Sequence, residues 1–134
     1  KEHNADYLSS DSLKWHPKIG IHAANVAPEF GVTETVSIIE ILNKNNLKTL
    51  KEKFLKASYE SYKWRKWMLP NTKASDYQKS IISGHYIFST PLFLSLKDEI
   101  NFNLKKKGIN FDLYLKENIK ASILRYLKAF NLVK

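Results

Sequence analysis

The chain has 134 residues, enough for one domain that buries about two-thirds of its unfolded surface. Its 22 Lys and Arg against 13 Asp and Glu give a net charge of +9, which suits an anionic partner (a phosphorylated metabolite, a nucleic acid or an acidic protein surface), although lysine scattered along the whole chain, as here, is more often a solubilising surface than a binding stripe. The lack of cysteine excludes disulfides and thiolate metal sites and fits a cytoplasmic location, while no apolar run approaches the ~20 residues of a membrane helix.

In chain order, Lys1 to Ser9 reads as the end of a strand and its loop. Ser10-Asp11-Ser12 can cap a short helix, Leu13-Lys14-Trp15-His16, which Pro17 closes. Lys18–Ala24, KIGIHAA, is short, small and apolar, and its pattern predicts a strand buried on both faces. A loop rich in Asn, Pro and Gly then feeds Thr33-Glu34-Thr35, an N-cap with an acid in the first turn, and a helix to about Leu42. Asn43-Lys44-Asn45-Asn46 ends it. Strand, polar loop and helix N-terminus is the geometry in which α/β folds place their chemistry, and such an N-terminus offers unpaired N–H groups to a phosphate. An ordinary connection between strand and helix has the same pattern.

From Leu47 the pattern turns wholly helical. Leu47, Leu50, Phe54, Ala57, Trp64 and Met68 recur at three- and four-residue steps, predicting one long amphipathic helix over 47–68 with Phe54 and Trp64 in the core. Pro70-Asn71-Thr72 stops it. Ser75-Asp76-Tyr77-Gln78 has capping-box spacing for a helix to about Phe88, within which Gly84 marks a close helix contact. Thr90-Pro91 starts another, with Leu92, Leu96, Ile100 and Leu104 as its buried stripe and Gly108 just past its end. Leu115, Ile119, Ile123, Tyr126, Leu127 and Phe130 line a last helix over 112–131. The expected fold is mainly α with one or two short β-strands.

Two segments carry the candidate chemistry: His3-Asn4-Ala5-Asp6-Tyr7 and Asn25-Val26-Ala27-Pro28-Glu29-Phe30. His3 is an imidazole of the kind zinc takes, or a plain surface histidine. Asp6 is a turn residue, or a carboxylate for a sugar hydroxyl or a cation. Asn25 can fix substrate hydroxyls or cap its own loop, and Glu29 is a second polar contact or a helix N-terminal acid. Alternation along a strand would turn His22 toward packing helices.

The second segment resembles the Asn-Val-Ala-Thr-Glu-Leu signature of class II sugar-phosphate aldolases. The pair HxxDY and NVAxEF is closer to the accessory, "non-catalytic" subunit family of D-tagatose-1,6-bisphosphate aldolase. The resemblance implies the C-terminal fragment of a (β/α)8 barrel: residues 1–46 as its last βα units and 47–134 as a helical extension. A motif within seven residues of Lys1 fits a C-terminal piece of a longer protein. It also implies a lyase complex of carbohydrate metabolism, with sugar phosphate and a catalytic aldolase subunit as partners. His3 would be a ligand of a divalent metal such as zinc, and Asn25, Glu29 and Asp6 substrate contacts. Asp6 and Tyr7 stand where the catalytic aldolases carry the Gly and Ser that cradle phosphate, so a phosphate at this loop would meet a carboxylate.

Tyr62-Lys63-Trp64-Arg65-Lys66-Trp67 mixes bases and rings as nucleic-acid binders do. Helical spacing instead assigns Trp64 to the buried stripe and Lys63 and Lys66 to solvent, so nucleic acid is not the expected partner. A free-standing basic helical module that binds nucleic acid is the alternative reading.

Overall fold

The computed structural model describes residues 1–134 and is mainly helical: six α-helices, two 3-10 turns and a single isolated bridge. No helix is long and apolar enough to cross a membrane.

Helix α1 spans Ser10–Lys18 and is capped one residue earlier than expected, by Ser9, whose hydroxyl accepts from the Ser12 N–H at 3.0 Å. Pro17 lies inside it, because its missing N–H forgoes one bond only a residue before the end. Gly20, at φ +81°, then turns the chain. The expected strand over Lys18–Ala24 does not form. Its first residue completes α1, Ile19 is 65% exposed, and only Ala24 pairs, in a parallel bridge with Glu2. Three backbone bonds hold the two segments together, Glu2 N–H to Ala23 O (2.9 Å), Asn25 N–H to Glu2 O (3.0 Å) and Ala5 N–H to Asn25 O (2.9 Å). A doubly buried strand needs a neighbour on each edge, and this one has a few residues on one edge.

Helix α2 runs Glu29–Lys44, beginning well before Thr33. Thr35 is not a cap: it is fully buried and its hydroxyl donates back to Gly31 O at 2.9 Å. Helix α3, Lys48–Glu60, has 13 residues and ends well short of the 47–68 span that the pattern suggested. Tyr62 adopts a left-handed conformation (φ +54°), a 3-10 turn follows at Lys63–Lys66, and Trp64 and Met68 leave the core stripe half-buried.

Helix α4, Asp76–Ser83, opens with the full capping box between Ser75 and Gln78. It gives way to a 3-10 turn at Gly84–Ile87, where the chain meets α2. A Cβ on Gly84 would lie 2.4 Å from Thr35 Cγ2, and one on Gly31 would lie 2.7 Å from His85 Cβ, so each glycine admits the other segment's side chain. Hydroxyls bind α3 to α4: Ser80 donates to Leu55 O (2.9 Å) and Ser83 to Ser58 O (2.8 Å).

Helix α5, Pro91–Lys105, starts at the Thr90 cap. Its buried stripe is Phe93, Leu96, Ile100 and Leu104; Leu92 faces solvent. Gly108 supplies the left-handed exit at φ +72°. Helix α6, Phe111–Ala129, buries Leu115, Tyr126 and Ala129 but leaves Ile123 exposed and Ile119 and Leu127 half-covered.

The main core joins Ile38, Ile39 and Leu42 of α2 to Leu50 and Phe54 of α3, Phe93 to Leu104 of α5, and the start of α6. The main core thus packs α2, from residues 1–46, against helices of residues 47–134. A second, smaller cluster of Leu13, Tyr126 and Ala129 fastens α1 to the far end of α6 beneath Leu8, Val26 and Phe30.

Candidate functional site

The bridge places HxxDY beside NVAPEF. His3 and Asn25 are both exposed, and the Asn25 amide lies 3.4 Å from His3 Nδ1. Two polar side chains thus face outward from the joined ends of two parallel segments. Without a strand over 18–24, alternation does not govern this stretch: His22 is exposed beside a 420 Å³ groove lined by Phe30, Tyr126 and Phe130 rather than packed under helices.

Asp6 caps α2 from a distance. Its carboxylate accepts from the Ala27 N–H at 3.0 and 3.2 Å and from the Glu29 N–H at 2.9 Å. Pro28, between them, has no N–H to satisfy, and a negative charge suits the positive end of the helix. This explains why α2 starts before Thr33.

Glu29 is buried at 7% exposure. Its Oε1 pairs with the Arg125 guanidinium, and its Oε2 accepts from the Tyr7 N–H and the Tyr126 hydroxyl. Arg125 also donates to Leu8 O. The Tyr126 hydroxyl lies 3.0 Å from Ala5 O as well, and its one proton goes to the carboxylate, the stronger acceptor. Burial first, then the Glu29 hydrogen bond and charge, push the Tyr126 phenol up from its usual value, with Arg125 opposing. Every oxygen of Asp6 and Glu29 therefore meets a protein donor.

Tyr7 sits at φ +62° and Asn4 at φ +59°. Asn accepts this conformation readily, but a tyrosine there is held by its surroundings, here by the bond from its N–H to Glu29. Burial, then the charges of Asp6 and Glu29, push the Tyr7 phenol up to about 12. On the other side of the segment, His16 is buried with Nε2 against the Glu2 carboxylate and Nδ1 3.1 Å from Ser12 O. Both of its nitrogens thus face protein oxygens.

No group of three or more His, Asp or Glu side chains is arranged to hold a metal. His3 has an amide for a neighbour and no second ligand, so the residues present do not by themselves fit a zinc site.

The sequence pattern puts Tyr126 in the stripe of the last helix, where it is buried, but neither it nor Arg125 shares a local pattern with the motifs it serves, and only the burial of Glu29 calls for such partners. Lys63 and Lys66 lie in solvent as the spacing predicts, but Trp64 is half-buried outside the core stripe, so the basic aromatic segment is a surface feature. Arg65 lies over the Tyr62 and Trp64 rings (4.6 and 5.5 Å), Lys79 over Trp64 and Tyr59 (4.9 and 5.8 Å), and Lys66 over Tyr86 (5.7 Å). Compared with known proteins, the chain matches no family model, no curated protein and no solved structure.

Proposed function

We propose that this chain is the C-terminal portion of a (β/α)8-barrel protein of the tagatose-bisphosphate aldolase accessory-subunit type. On this reading residues 1–46 supply the last βα units, and the protein supports a catalytic subunit that cleaves a sugar bisphosphate into two triose phosphates. The observation that carries it is the parallel bridge between Glu2 and Ala24, with α1 between its two segments in sequence and His3 and Asn25 3.4 Å apart beyond it. Adjacent parallel barrel strands place their following loops on one rim in this way.

The roles divide by what is free. His3 and Asn25 present the outward polar atoms and would contact the sugar. Asp6 and Glu29 shape the rim, one capping α2 and the other anchoring Tyr7. A divalent ion at His3 would need donors from another part of the protein.

The test adds the chain to a class II tagatose-bisphosphate aldolase catalytic subunit and follows cleavage of tagatose 1,6-bisphosphate. Complex formation with raised activity is expected. Asn25→Ala should weaken sugar-phosphate binding by about 1–3 kcal/mol, the cost of one unpaired polar group. No complex and no sugar-phosphate binding by calorimetry would overturn the reading.

A further inference from the structure

We infer that the basic aromatic surface around Tyr59, Tyr62, Trp64, Arg65 and Lys79 is a docking face for an acidic protein surface. On the accessory-subunit reading, on which this partner rests, that surface belongs to the catalytic subunit.

The chain is broken here so as to expose the patch. Tyr62 takes a left-handed conformation, and the 3-10 turn Lys63–Lys66 that follows contains no buried residue. Three cations stand in residues 59–67 against the single acid Glu60, whose carboxylate lies toward Lys56 at 3.8 Å. Lys79 also approaches Asp76 at 3.4 Å, but Lys63, Arg65 and Lys66 make no ion pair. Tyr62 is 48% and Trp67 45% exposed, large rings left in water among fixed positive charges. Trp, Tyr and Arg are the side chains that anchor protein interfaces, and the charge selects a carboxylate-rich counterpart.

The ring geometry decides between protein and single-stranded nucleic acid. Bases bind by stacking on free ring faces. Here Tyr59, Tyr62 and Trp64 lie with centroids 6.0–6.4 Å apart; the Arg65 guanidinium covers Tyr62 and Trp64, and Lys79, its side chain only 16% exposed, packs against Tyr59 and Trp64. Trp67 alone, its indole N–H bonded to the Tyr86 hydroxyl at 3.0 Å, does not make a platform. A surface of exposed guanidinium and ammonium groups beside rings that already hold a cation suits carboxylates and apolar side chains instead.

The experiment titrates the full chain against the aldolase catalytic subunit, with oligothymidine as a second probe. Lys63→Glu/Arg65→Glu should weaken the complex at least about tenfold and flatten its salt dependence. Lys105→Glu/Lys116→Glu, the same charge change on α5 and α6, should leave it unaltered. Because Arg65 roofs two rings, Lys63→Glu/Lys66→Glu serves as the second variant, and equal melting of all variants confirms folding. Undiminished binding by both patch variants, or equal loss in the distant pair, overturns the docking face while the accessory-subunit reading stands. Tighter binding of oligothymidine through the same residues overturns the choice of an acidic protein. A wild-type chain that forms no complex removes the accessory-subunit reading and this partner with it.

Discussion

Gly84 shows how a single atom sets the fold locally. Its backbone is ordinary, so the requirement is spatial: the Thr35 methyl and hydroxyl occupy the place where a side chain would begin, 2.4 and 2.7 Å from an added Cβ. Gly84→Ala should therefore cost about 1–3 kcal/mol in urea denaturation, the usual range for overpacking. Thr35→Ala should recover part of that loss in the double variant, and simple additivity of the two losses would refute the contact. The neighbouring His85 gives a pH signature. Its Nδ1 is buried without a partner, and burial lowers its pKa below 6.5. The unfolded chain then takes up a proton that the folded chain resists, so stability falls as pH drops through 6.5 toward the folded value. Glu34 works in the other direction. Burial raises its pKa above 4.5, so the stability it adds at low pH is lost as pH rises past that value. Comparing melting curves of wild type and His85→Gln isolates the histidine, and the variant should lose less stability between neutral and mildly acid pH.

At the scale of elements, Phe54 is the fully buried anchor of α3, packed against Phe88 and Phe93. Phe54→Ala should cost about 3–5 kcal/mol by chemical denaturation, and a loss below about 1 kcal/mol would remove it from the core. Elements whose signals are local were legible in the sequence. Ser75 with Gln78, Thr90 with Pro91, and Gly108 each act within a few residues, and each stands where the pattern put it. Elements governed by distant residues were not. The start of α2 belongs to Asp6, more than twenty residues upstream. The end of α3 at Tyr62 defeats a pattern reading, because a tyrosine in the left-handed region is held by tertiary contact rather than preference. KIGIHAA has a strand's composition and lacks the neighbours that make a strand. The candidate site divides in the same way: both motifs were visible, and His3 does meet Asn25, but the partners that bury Glu29 come from α6.

Across the whole molecule, several of the contacts that hold the first nine residues converge on Glu29 and its α6 partners. Tyr7 N–H bonds to its carboxylate, Leu8 O accepts from Arg125, and Tyr126, which bonds to Glu29, touches Ala5 O. Other ties include the bridge at Glu2, its contact with His16, the bond from Ala5 N–H to Asn25 O, and the Asp6 carboxylate on the Ala27 and Glu29 N–H groups. Arg125→Met keeps the aliphatic stem and removes the charge, leaving Glu29 buried beside a phenol and one amide. Breaking a buried pair from one side costs about 3–5 kcal/mol, and Arg125, 27% exposed, belongs at the low end. The loss should be uneven. The second cluster, which holds α1 and the far end of α6, is separate from the main core of α2, α3 and α5. Hydrogen exchange should therefore accelerate at the Glu2, Ala5 and Tyr7 amides and along the last turns of α6, while amides near Ile38, Phe54 and Ile100 keep their protection. His3 would be released from Asn25 in the same opening, so under the proposed function the variant should also weaken sugar-phosphate binding although Arg125 contacts neither His3 nor Asn25. Uniform acceleration throughout the chain would mean that the two clusters unfold as one, and that Glu29 is not the local anchor of the rim.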